Sequence, residues 1–170
     1  MKNLNKKTLF IAQAAIIAAI YVTITMIFAP FSFGHVQVRI SEALTILPVF
    51  TPAAIPGLFV GAFLANTLGP GGPIDMIFGS LATLIAALLT YWIRRYNEFL
   101  APIPPIIVNA LIIPFVIYYG FYYGTEHSFT IPFFMLTVGA GQIIACGVLG
   151  TLLYLALRRH RKSIFHNDKE

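Results

Sequence analysis

Apolar residues fill the chain in long runs, and polar residues collect where the runs stop. The first run covers residues 9–29 and ends before Pro30. About 20 apolar residues in a helix cross the hydrocarbon core of a bilayer, so this run predicts one span. The second run, 40–50, is too short for a straight full span. The third, 51–68, follows it almost without a gap. The fourth covers 73–92, the fifth 101–123 and the sixth 129–157. None alternates apolar with polar residues as barrel strands do. The pattern predicts an all-α integral membrane protein, with residues 1–170 forming a single compact bundle of six transmembrane helices.

Composition agrees. The 170 residues are 58% hydrophobic and 10% charged, whereas soluble domains carry about 25% charged residues. Such a chain cannot cover a water-facing surface. The net charge of +5 would suit a nucleic-acid partner if it were spread over one face, but it sits at the ends of runs. Lys2, Lys6 and Lys7 precede the first run, Arg94 and Arg95 follow the fourth, and Arg158, Arg159, Arg161 and Lys162 follow the sixth. Six spans put all three clusters on one side, which the positive-inside rule makes cytoplasmic. Both termini are then inside. The first run is too long for a signal-peptide core, and no cleavage site follows it.

The opposite side carries the unusual chemistry. Of the eleven Lys and Arg residues only Arg39 falls there, beside three of the six acids, Glu42, Asp75 and Glu126. Glu42 and Asp75 lie just inside helix ends, and acids within a membrane usually face an interior or a cavity. Plainer accounts exist for each. Arg39 and Glu42, three apart, could pair on one helical turn, and Arg39 could reach to water. Asp75 could be a helix-start acid, and Glu126 could be solvated in its loop. Asn66, Asn109 and Gln142 could simply join helices, each for about 0.6 kcal/mol, or present amides to a planar ligand. Tyr119 stands in an aromatic cluster that could be an interfacial belt or a stacking wall. The polar cost is concentrated at one face, which predicts a ligand site open to the outside.

The remaining patterns are structural or negative. Ala14, Ala15, Ala18 and Ala19 give two registers of small residues four apart, and Gly57 and Gly61 give another, of the kind that lets helices approach closely. The glycine pair is expected to pack within the chain. No Walker lysine loop is present, so no ATP hydrolysis is expected of this chain. The four histidines lack metal-ligand spacing, and Cys146 is alone. No catalytic residue, metal or cofactor is expected, and the chain is not read as an enzyme.

The segments "VQVRISEALTILPVFTPAAIPGLFVGAFLAN" and "DMIFGSLATLIAALLTY" resemble the QueT family over nearly all of the chain. Its members are proposed queuosine-precursor transporters, the substrate-binding S components of energy-coupling-factor (ECF) transporters. The block from Arg39 through Ser41 and Glu42 carries the resemblance most specifically. The resemblance implies a 7-deazaguanine base, such as the 7-cyano or 7-aminomethyl form, as ligand. It also implies a module of one transmembrane coupling protein and two cytoplasmic ATPases, in the plasma membrane of a prokaryote. In S components an alanine stripe on the first helix docks the coupling protein, and Ala14, Ala15, Ala18 and Ala19 match it. The resemblance implies an acid at the place of Gln142, where this chain departs from the pattern.

A deazaguanine presents adjacent N–H donors that a carboxylate can accept in a fork. Glu42 or Asp75 could do this, with Arg39 or Asn66 donating to the carbonyl. Asp75, with no basic neighbour in sequence, is the expected partner of an aminomethyl cation. The alternative is an autonomous small carrier or channel for a polar solute, which would transport without a coupling module. A scaffold would bind no ligand at all.

Overall fold

The computed structural model describes residues 5–33, 38–123 and 130–161. Among these residues there is helix and no strand. Helix α1 is Lys6–Ile27, α2 is Ile40–Val49, α3 is Ala54–Leu68, α4 is Gly72–Ile93, α5 is Glu98–Gly120 and α6 is Ile131–Arg158. Four of them, α1, α4, α5 and α6, are long and apolar enough to cross a membrane, while α2 and α3 are apolar but shorter. Large apolar side chains such as Ile11, Leu68, Phe78, Leu111 and Leu136 stand exposed around the outside. A water-soluble monomer does not show such a surface. The chain is a multi-pass membrane protein.

The helix ends follow local chemistry. α1 begins at Lys6, behind Asn5, whose side chain accepts from the Lys7 backbone N–H. It ends at Ile27, and a short helical turn, Ala29–Ser32, carries Pro30 in its first positions, where a missing N–H does no harm. Between α3 and α4 the chain turns through Gly69, Pro70 and Gly71 to Gly72, whose φ of +70° is a left-handed conformation that glycine adopts without a Cβ penalty.

α2 is wound as a 3-10 helix. This winding rises about 2.0 Å per residue against about 1.5 Å for an α-helix. Its ten residues therefore reach roughly 20 Å rather than roughly 15 Å, so the short second run spans more of the bundle than an α-helix of its length would. Residues 41–49 are all buried, because α1, α3, α4 and α6 surround α2. Thr45 donates its hydroxyl to the Glu42 carbonyl at 2.6 Å, and Pro48 has no N–H to offer.

α1 and α3 share an extensive contact. A Cβ on Gly57 would stand 2.7 Å from the Ala14 carbonyl oxygen, and one on Gly61 would stand 2.9 Å from Tyr21 Cβ and 3.1 Å from Ala18 Cα. The glycines thus let two backbones approach as small residues do in membranes. Tyr21, Leu44, Leu47, Phe50, Leu58 and Ala62 centre one buried cluster. Ala82, Ala86, Val108, Ile113, Phe134 and Val138 form a second between α4, α5 and α6.

The basic end is tied together. Arg94 stacks over the Tyr91 ring, 3.9 Å from its centroid, and its Nη1 donates to the Val49 and Pro48 carbonyls at 3.1 and 3.4 Å. These are the carbonyls that a helix C-terminus leaves unmade. Arg161 bonds Glu98 at 2.7 Å, and the Tyr154 hydroxyl donates to the same carboxylate at 2.8 Å. Lys2 and Lys162 lie outside the described residues.

Candidate functional site

Two polar clusters occupy the other end of the bundle. The outer one joins the start of α2, the end of α3 and the start of α4. Arg39 Nη2 lies 3.6 Å from Asp75 Oδ2, and the Arg39 guanidinium sits 5.3 Å from the Phe33 ring centroid. Asn66 Nδ2 donates to the Asp75 backbone carbonyl at 3.0 Å. Arg39, Asn66 and Asp75 are all buried. α4 widens to π winding over Asp75–Gly79, a distortion often met at functional sites. A Cβ at Gly71 would collide with the Asp75 carboxylate, and one at Gly79 would meet both that carboxylate and Asn66 Nδ2.

The second cluster lies one turn deeper around Glu42, which is 1% exposed. Tyr21 donates its hydroxyl to Glu42 Oε1, and Asn109 Nδ2 donates to Oε2 at 3.1 Å. Cys146 lies within hydrogen-bonding reach of the Glu42 carbonyl at 3.4 Å and of Gln142 Oε1 at 3.1 Å. Thr25 and Ser41 share a 2.6 Å hydrogen bond beside it. Glu42 thereby links α1, α2, α5 and α6 by its own atoms.

The model of the QueT transporter family matches residues 11–159. The chain belongs to that family. The Queuosine precursor transporter QueT of Lactococcus lactis subsp. cremoris (strain MG1363) is 36% identical over 83 residues, 48% of this chain and 48% of that protein. The match thus spans about half the length of this curated relative. No solved structure matches.

In this QueT family member the expected site residues separate into groups. Arg39, Asn66 and Asp75 come together. Glu42 and Asn109 come together below them, with Gln142 joined through Cys146. Tyr119 belongs to neither group. It is 53% exposed and lines an apolar groove with Ile74, Phe78, Leu111 and Phe115. Glu126 lies outside the described residues.

Two expectations need correction. The plainer account, in which Arg39 pairs with Glu42 on one turn, does not hold: Arg39 caps α2 with extended backbone angles, φ −88° and ψ 96°, and its ion pair is with Asp75. Asp75, the expected partner of an aminomethyl cation because it has no basic neighbour in sequence, has Arg39 as its ion-pair partner. The alanine registers also part company. Ala14 and Ala18 face Gly57 and Gly61 of α3, so they pack inside the bundle, while Ala15 and Ala19 are exposed.

Sequence reasoning gave Tyr21 no role and read Cys146 only as a lone cysteine, because each stands by itself in an apolar run. A signal for Tyr21 existed. Ala14, Ala18, Tyr21 and Thr25 are spaced four, three and four, one face of a helix, and that face is the one that meets α2 and α3. Nothing local marks Cys146.

Proposed function

We propose that this chain is the substrate-binding S component of an ECF-type importer, capturing a queuosine precursor of the 7-deazaguanine class outside the cell. The family match over residues 11–159 carries this reading, and the printed name of the Lactococcus relative supports its substrate class. The proposed ligand contacts are Arg39, Asn66 and Asp75, with Glu42, Asn109 and Gln142 behind them. Six helices cross the bilayer, with both termini in the cytoplasm. The gathering of Arg94, Arg158 and Arg161 at one end supports that orientation through the positive-inside rule.

Energy comes from a coupling protein and two cytoplasmic ATPases. The exposed pair Ala15 and Ala19 is the proposed docking stripe for the coupling protein. Mass spectrometry of the small molecules that co-purify with the detergent-solubilised protein tests the substrate, and a 7-deazaguanine base is the expected finding. Uptake of that base by cells with and without the coupling module tests the mechanism. Uptake that persists without the module identifies an autonomous carrier instead.

A further inference from the structure

Three buried polar atoms have no hydrogen-bond partner among the described residues: Arg39 Nη2, Asn66 Oδ1 and Asp75 Oδ2. They belong to the same outer cluster. Their residues are 5%, 1% and 2% exposed, so bulk water does not serve them. A buried polar atom left unpaired carries its full desolvation penalty, and native structures keep few of them. Three in one cluster, two acceptors and one donor, describe a place that a complementary group fills.

The atoms are held in position. The Asp75 carbonyl can only accept, so the Asn66 amide must turn Nδ2 toward it, at 3.0 Å. Oδ1 is thereby aimed away from that bond. Arg39 Nη2, 3.6 Å from Asp75 Oδ2, is near enough for attraction and too far for a direct hydrogen bond. Gly71 and Gly79 leave bare backbone against the carboxylate, since a Cβ on either would collide with it. The neighbouring Glu42 differs: both its carboxylate oxygens already accept from the protein, one from Tyr21 and one from Asn109.

We infer that Arg39, Asn66 and Asp75 together read one edge of a flat heterocycle whose groups run donor, donor, acceptor. Asn66 Oδ1 and Asp75 Oδ2 accept from an exocyclic amine and the adjacent ring N–H. Arg39 Nη2 donates to the carbonyl oxygen beside them. That order is the amino-oxo pyrimidine edge of a guanine-type base. An adenine-type edge offers no carbonyl to Arg39. The Arg39–Asp75 pair is neutral as a unit, so an uncharged edge enters without changing the charge balance of the pair. Gly79 is a positioning residue, because its missing Cβ leaves room for both acceptor side chains. The inference rests on the proposed transport of deazaguanines for its ligand class, and adds which edge is read and by which residues.

The experiment varies the ligand before the protein. Purified wild type is titrated calorimetrically with 7-deazaguanine and with 7-deazahypoxanthine, which lacks only the exocyclic amine. A site built to bond that amine should reject the second base by on the order of 100-fold or more. Asn66→Ala should shrink that ratio to below about 10-fold, the loss expected when a designed polar partner is removed, whereas Asp75→Asn, at the ring N–H that both bases carry, should weaken both together. Asp75→Asn also strands Arg39 without its counter-ion and threatens folding. Gly79→Ala is therefore run beside it, because it displaces the same two side chains without changing charge. Taking the ratio within each protein divides out general damage. Equal binding of the two bases by wild type overturns the edge-reading inference while the transport reading stands. A full ratio kept by both Asn66→Ala and Gly79→Ala overturns it too. Binding of neither base overturns the inference together with the substrate class.

Discussion

Arg39 forms an ion pair with Asp75, with Nη2 3.6 Å from Oδ2, while the carboxylate of Glu42, three residues along the chain, accepts from Tyr21 and Asn109. The division gives the two membrane-buried acids different work. Asp75 Oδ2 takes no hydrogen bond among the described residues. Glu42 has its oxygens occupied and holds helices together.

Glu42→Gln should therefore act first on stability. The amide replaces a charged acceptor in bonds to Tyr21 and Asn109, and hydrogen bonds to charged groups are worth about 1.5–3 kcal/mol each. Thermal unfolding in detergent should show a lowered midpoint, and affinities for differently substituted deazaguanines should fall in parallel. An unchanged midpoint with a loss confined to one ligand would make Glu42 a direct contact instead.

Asp75→Asn should not separate a cationic from a neutral ligand. Arg39 already compensates the Asp75 charge at 3.6 Å, so a 7-aminomethyl cation gains little from it. Calorimetry with the aminomethyl and cyano bases should show losses that agree within about 3-fold, less than 1 kcal/mol. A much larger loss for the aminomethyl base would restore Asp75 as its counter-ion.

The two faces of α1 should respond differently. Gly61→Ala puts a methyl 2.9 Å from Tyr21 Cβ and 3.1 Å from Ala18 Cα, and overpacking of this kind costs about 1–3 kcal/mol. Its unfolding midpoint should drop. The double change Ala15→Leu with Ala19→Leu enlarges exposed positions. It should leave the midpoint and ligand binding alone and abolish uptake in cells that carry the coupling module. Normal uptake in that variant would remove Ala15 and Ala19 from the docking surface.

Arg94 clasps the end of α2 through the Pro48 and Val49 carbonyls. Arg94→Ala should lower stability by about 1.5–3 kcal/mol, the range for hydrogen bonds to a charged group. Arg94→Lys should recover only part of it, because an ammonium lacks the planar fork that reaches two acceptors and stacks on Tyr91. Denaturation of the three proteins side by side measures the order. Equal stability of the Lys variant and wild type would reduce the role of Arg94 to its charge.

The apolar runs alone predict the all-helical membrane chain and the approximate positions of its long helices, because transfer into hydrocarbon is nearly a sum over local residues. The glycine pair at 57 and 61 likewise announced a close helix contact by its spacing. The winding of α2 was not legible there. A run of ten apolar residues reads the same whether it rises steeply or not, and four surrounding helices accompany the steeper form. Nor did the run pattern choose partners for the polar side chains. Arg39 and Glu42 looked like a local pair because spacing is all a sequence offers. Their partners come from α1, α4 and α5, and only the packing of those helices decides which buried charge meets which. The same packing turned Ala14 and Ala18 inward and Ala15 and Ala19 outward, since adjacent positions on a helix point about 100° apart.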